Sequence, residues 1–133
     1  MSDGLAYFDA SAFVKLFWRE PESEALLALL GNDWSLIGSS EILAVEASRA
    51  ARRVGGGAPA RAARLLATLT LVPLSPALRS QACLLGPPEL RSLDAIHLAT
   101  ALSVRDRVGA VFTYDKRLAE ASAEAGLQVL APA

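Results

Sequence analysis

The chain has 133 residues, 53% of them apolar, and a formal net charge of −1. That size and balance describe one ordinary domain with a proper core and exclude a disordered chain. The longest charge-free stretch, residues 65–78, is too short for a bilayer and is broken by Pro73 and Pro76, so no membrane span is expected.

The chain opens with Leu5-Ala6-Tyr7-Phe8, a short apolar run rich in aromatics that predicts a buried strand. It ends abruptly at Asp9. An acid there reads in two ways: as the N-cap of the helix that follows, or as a ligand-side carboxylate at the C-terminal end of a strand, where open α/β sheets bind. Residues 11–17 have helical spacing, and a second helix is expected over 22–31, with Pro21 near its start and Gly31 as its cap. Residues 34–38 predict a strand. Ser39 or Ser40 then caps a helix over 41–53, stopped by Gly55-Gly56-Gly57. Helical spacing resumes over 60–68, and residues 69–74 read as a strand that Pro73 places at an edge. A helix follows over 76–85, broken at Gly86-Pro87-Pro88, and another over 93–104, capped by Ser92. A strand over 109–113, a helix over 116–125 stopping at Gly126, and a strand over 127–130 complete the chain. Alternating strands and helices predict an α/β fold: a three-layer α/β/α domain spanning 1–133 around a parallel sheet of about five strands.

Four carboxylates stand at meaningful places in that order. Asp115 repeats the pattern of Asp9, an acid where the chain leaves an apolar strand, so both belong on one rim of a parallel sheet. Ser11 and Thr113 offer a hydroxyl beside each. Asp94 falls in a first helical turn, where the helix dipole favours an acid by about 0.3–1 kcal/mol. Its helix, with Ile96, Ala95, Ala99 and Ala101, looks buried nearly all round, and acids are rarely buried without a partner. Glu46 interrupts the apolar run Ile42-Leu43-Ala44-Val45, either pairing with Arg49 three residues on or pointing inward at a charged site. Glu41, at the same helix's start, is read as complementing the dipole. Four converging acids cannot all stay charged alone: at about 4 Å and an effective dielectric near 20, each like-charged pair costs about 4 kcal/mol, so some stay protonated unless a cation is bound. Oxygen-only donors point to Mg²⁺ or Mn²⁺.

Charge is unevenly spread. Residues 1–48 are acid-rich, whereas 49–91 hold seven arginines against Glu89 alone. That asymmetry suits a metal site in one region and phosphate contacts in another, or simply solvated helix faces. The lone Cys83 excludes a disulfide framework and a multi-cysteine zinc site and is read as a small core residue in a reducing cytoplasm. The N-terminus has no basic region, so no secretory signal is expected.

Four motifs together resemble the PIN-domain nucleases, and among them the VapC-type toxins of bacterial toxin–antitoxin pairs. They are Tyr7-Phe8-Asp9-Ala10-Ser11, Ser39-Ser40-Glu41-Ile42-Leu43-Ala44-Val45-Glu46, Leu93-Asp94-Ala95-Ile96-His97-Leu98-Ala99-Thr100-Ala101, and Phe112-Thr113-Tyr114-Asp115-Lys116-Arg117-Leu118. The resemblance covers the full length. It implies an endoribonuclease dependent on Mg²⁺ or Mn²⁺, homodimeric, cytoplasmic, and blocked by a cognate VapB-type antitoxin whose tail occupies the active-site groove. The family's acids carry over to Asp9, Glu46, Asp94 and Asp115, with Ser11 and Thr113 as supporting hydroxyls. RNA binding falls to Arg49, Arg52 and Arg53. His97 is assigned no catalysis and is read as a helix-packing imidazole. The competing reading is a PIN-like module that binds protein or RNA without cutting. Receiver-type and haloacid-dehalogenase-like alternatives lack, respectively, the acidic pair before Asp9 and a second Asp at position 11.

Overall fold

The buried strand expected at the N-terminus is the middle of the sheet. In the computed structural model, which describes residues 4–133 apart from the side chains of Asn32 and Asp33, β1 (Leu5–Phe8) is buried at every position. The first three residues, part of the reading that no secretory signal is present, lie outside the described residues. The chain continues through α1 (Ala10–Phe17), α2 (Ser23–Asp33), β2 (Leu36–Ser40), α3 (Ile42–Val54), α4 (Ala58–Leu66), β3 (Thr70–Val72) and α5 (Pro76–Ala82). It ends with α6 (Ser92–Ser103), β4 (Val108–Phe112), α7 (Lys116–Glu124) and β5 (Val129–Leu130).

The five strands run in the order β3-β2-β1-β4-β5, and every pairing is parallel. The winding therefore reverses between β1 and β4, and the crevice beyond their C-terminal ends lies at the switch point where such sheets bind ligands. Strand alternation divides the core. Ala6, Phe8, Ala110 and Phe112 face a layer that includes Phe13, Phe17, Leu26, Leu43 and Ala62, from α1 to α4. Tyr7 and Val111 face the opposite layer, with Leu98 of α6 and Leu118 and Ala121 of α7. Phe8 and Phe112 stack at 4.9 Å between centroids, and Trp34 meets Phe112 edge-on at 5.3 Å. Full burial of such a side chain is worth roughly 1.5–3 kcal/mol, and both strands that carry the switch point contribute one.

Several boundaries differ from the sequence reading for local reasons. Pro21 lies outside α2, which begins at Ser23, whose hydroxyl is buried against the carbonyl of Lys15 at 2.8 Å. α2 runs through Gly31 to Asp33, so Gly31 is not its cap. β2 is displaced toward Ser39 and Ser40, which are strand residues; Ser40 still accepts from the amide of Ile42. The cap of α6 is Arg91, with Ser92 already helical. β3 is an edge strand, as Pro73 predicts. Gly55 and Gly56 turn the chain between α3 and α4 at φ of 81° and 58°, values that favour glycine. Cys83 is exposed rather than a core residue, because α5 stops at Ala82 and the chain after it turns outward. Glu41 is also more than a dipole partner: its Oε1 accepts from the amide of Leu74 and ties α3 to the segment after β3.

Candidate active site

Asp9 leaves β1 with extended backbone and caps α1, its Oδ1 accepting from the amide of Ala12 at 3.0 Å. The capping reading and the rim-carboxylate reading thus describe one residue. The hydroxyl of Ser11 lies 2.7 and 2.9 Å from the two carboxylate oxygens, and Thr113 donates to Oδ2 at 2.6 Å. Asp9 is buried, and that burial raises its carboxyl above the ordinary value; the bonds from Thr113, Ser11 and Ala12 and the nearby His97 pull it back.

The segment after β4 is laced to that of β1. Ser11 accepts from the amide of Tyr114 at 2.9 Å, and Thr113 accepts from the amide of Asp115 at 3.1 Å. Asp115 caps α7, its Oδ1 accepting from the amides of Arg117 and Leu118. One carboxylate oxygen of Asp115 is therefore engaged in holding its helix, as at Asp9.

Asp94 enters the same region from the first turn of α6. It is 9% exposed, and its Oδ2 has no hydrogen-bond partner. Burial raises its carboxyl, and the negative charges of Asp115 and Asp9 raise it further, against the opposing influence of His97 and Arg91. A buried carboxylate oxygen without a partner, under the influence of two other acids, is costly unless it is protonated or meets a cation.

Glu46, on the second turn of α3, does not pair with Arg49; its Oε1 lies 2.8 Å from Nε2 of His97. His97 is 2% exposed and its Nδ1 meets the Tyr7 hydroxyl at 2.9 Å. The ring is buried, and it is hydrogen-bonded at both nitrogens to other elements of the fold. The sequence carried one unused signal for this: the sole histidine lies on a buried helix, and the acid on the apolar helix needs a partner. Among the described residues, no three acidic, histidine or cysteine groups stand together as a ready-made metal cage.

The family model described as PIN domain matches residues 6–124. The chain belongs to the PIN-domain family. Ribonuclease VapC46 of Mycobacterium tuberculosis is 41% identical over 126 residues, covering 95% of this chain and 96% of that one. Ribonuclease VapC35 of the same species is 40% identical over 131 residues, covering 96% and 97%. Among solved structures, the Mycobacterium tuberculosis toxin VapC20 superposes with a TM-score of 0.73 at 18% identity, covering 96% of this chain and 99% of that one. A toxin–antitoxin complex from Klebsiella pneumoniae gives 0.67 at 23% identity, covering 96% and 98%. At these identities the structural likenesses establish the shared fold.

In this PIN domain an open groove leads away from the acids. Ser11 and Glu46 line it together with Val14, Val45, Arg49 and Arg53. Arg52 shares a neighbouring depression with Arg49 and Arg53, and all three arginines are exposed. The site therefore has a buried acidic end and an open, partly basic, partly apolar approach. No described helix is long and apolar enough to cross a membrane.

Proposed function

We propose that this PIN domain is a Mg²⁺- or Mn²⁺-dependent endoribonuclease, the cytoplasmic toxin of a toxin–antitoxin pair, with all 133 residues forming one nuclease unit. The observation that carries the reading is the buried Oδ2 of Asp94, which has no hydrogen-bond partner and belongs to a carboxyl raised by burial and by the charges of Asp115 and Asp9. An all-oxygen donor set suits a hard cation. Asp9, Glu46, Asp94 and Asp115 are the residues that would hold it. When bound, such an ion supplies a water of lowered pKa and offsets negative charge on the leaving oxygen of a phosphodiester.

The chain's own groups supply position. Ser11 and Thr113 fix the carboxylate of Asp9 from two sides, so its remaining lone pairs have a set direction. Arg49, Arg52 and Arg53 give phosphates a basic approach that carries no sequence information. Single-stranded or loop RNA fits an open groove best, because its bases can be splayed out of a stack. The ribonuclease names of the relatives support RNA as substrate. The Klebsiella toxin–antitoxin complex supports an antitoxin partner; a cognate VapB-type antitoxin whose tail would occupy the same groove, and a homodimer, complete the proposed assembly.

A second reading, a PIN module that binds RNA or protein without cutting, draws on the lack of a ready-made three-ligand cage among the described residues. One experiment separates the two. Purified protein is incubated with a broad panel of RNAs, with Mn²⁺ or Mg²⁺ and then with chelator. Cleavage that requires the ion supports the nuclease. Intact RNA in the presence of demonstrably bound metal supports the module.

A further inference from the structure

We propose that His97 is a positioning residue for Glu46, and that Tyr7 selects the ring tautomer through which it acts. The proposal rests on the reading of Glu46 as a metal ligand. Nε2 of His97 faces Oε1 of Glu46 at 2.8 Å, and Nδ1 faces the Tyr7 hydroxyl at 2.9 Å. An ionised carboxylate only accepts, so Nε2 must carry the shared proton. When the ring is neutral, Nδ1 is the acceptor and the Tyr7 hydroxyl donates to it; when the ring is the cation that lowers the Asp9 and Asp94 carboxyls, Nδ1 donates to that hydroxyl and the bond from Nε2 to Glu46 stands unchanged. Tyr7 is wholly buried in the central strand, and a phenol carries its proton at neutral pH, so the hydroxyl has a hydrogen to donate. The two rings meet edge-on at 79°. A directed chain of hydrogen bonds thus runs from the middle of the sheet, through α6, to α3.

Packing alone does not account for this arrangement. On its own helix face His97 lies between Asp94, three residues before it, and Thr100 and Ala101, three and four after it, and both of its ring nitrogens meet polar groups of other elements. Free on a helix, a glutamate loses rotamer freedom when an ion fixes it. The bond from His97 fixes it in advance through Oε1. Oε2 makes no hydrogen bond among the described residues, which leaves it available as a donor to an ion. The partners of ligating carboxylates typically contribute 10–100-fold to metal affinity.

Mn²⁺ titration of the full chain, followed by loss of the free-ion electron paramagnetic resonance signal, tests this, with circular dichroism and thermal melts to establish folding. His97→Met keeps an unbranched shape but no donor, and is expected to weaken Mn²⁺ binding about 10–100-fold. His97→Gln, of similar shape with an amide N–H near the place of Nε2, is expected to recover most of that loss. Tyr7→Phe, which frees the ring to adopt either tautomer, is expected to give a smaller loss. Equal affinities for His97→Met and His97→Gln would overturn the proposal, since a packing role makes no distinction between them. Should His97→Met not fold, Tyr7→Phe decides: wild-type affinity there sinks the relay and a measurable loss supports it. Glu46→Gln separates loss of the ligand from loss of the relay. If Glu46→Gln binds Mn²⁺ as tightly as wild type, the ligand reading of Glu46 falls and the relay with it. If Glu46→Gln loses affinity while His97→Met does not, the relay alone falls.

Discussion

Thr113 donates to Oδ2 of Asp9 at 2.6 Å, joining two residues 104 positions apart. The contact exists because β1 and β4 are parallel neighbours, with Phe8 paired to Phe112, so both chains leave the sheet at the same level. The same hydroxyl accepts from the amide of Asp115. One threonine therefore holds two of the four acids in register.

Replacing it with valine keeps the shape and removes both bonds. Thr113→Val is expected to cost about 1–3 kcal/mol of stability, the usual penalty for stranding a buried carboxylate's partner. It should also lower RNA cleavage by loosening Asp9. Urea unfolding in chelator and cleavage rates at saturating metal measure the two effects. Wild-type values in both would show that Ser11 and the amide of Ala12 suffice to place Asp9.

Asp94 offers a test with opposite signs for stability and function. Its bare oxygen and the repulsion from Asp9 and Asp115 burden the metal-free fold. Asp94→Asn is therefore expected to raise the melting temperature in chelator by about 3–5 °C, equivalent to about 1 kcal/mol. It should also abolish cleavage and remove the stabilisation that Mn²⁺ gives the wild type, about 2.7 kcal/mol at a hundredfold excess over Kd. Calorimetry with and without the ion reads both. A variant less stable than wild type in chelator would assign Asp94 a structural role at the start of α6.

Much of this site was legible because its acids follow local rules. Asp9 and Asp115 sit where a strand gives way to a helix, and each proves to be an N-cap. The sheet was legible too: apolar runs separated by helical spacing mark the strands, and Pro73 marks the edge. What sequence reasoning missed lies in contacts between distant elements. Glu46 has Arg49 one turn ahead on its own helix, so a local rule offers a local partner. Its actual partner, His97, is 51 positions away and is brought over only because α6 packs on β2, the strand that leads into α3. Cys83 was misplaced for the converse reason: composition alone says that cysteines are buried, but this one follows the end of α5 at the surface.

The raised carboxyls of Asp9 and Asp94 set a pH dependence for the metal-free protein. A group whose folded pKa exceeds its unfolded value holds a proton in the native state that the unfolded chain has already released. Its contribution to stability is complete below the ordinary value of 3.8 and is lost as pH rises through the raised one. In chelator, wild-type stability should therefore fall relative to Asp94→Asn as pH rises past 3.8, and the two curves should converge below it. Denaturant midpoints across this range check the sign. A wild type that gains on the variant with rising pH would mean that the carboxylate of Asp94 is favourably paired.

The arginines decide where RNA runs. Arg49 and Arg53 are one helical turn apart on α3 and line the groove that also holds Ser11 and Glu46. Arg52 and Arg53 also lie in the last turn, where a cation complements the helix dipole, so a structural role competes with substrate binding. The two roles separate in kinetics. The double substitution Arg49→Ala, Arg53→Ala is expected to raise KM with little change in kcat, because phosphate contacts act before the reaction and equally in it. Each lost contact should flatten the log–log dependence of affinity on salt by about 0.7 for a single strand. Preference among RNA sequences should persist, since such contacts read no bases. Unchanged KM and salt slope, with only a lower melting temperature, would confine these arginines to the end of α3. A fall in kcat at constant KM would instead bring one of them into contact with the reacting phosphate.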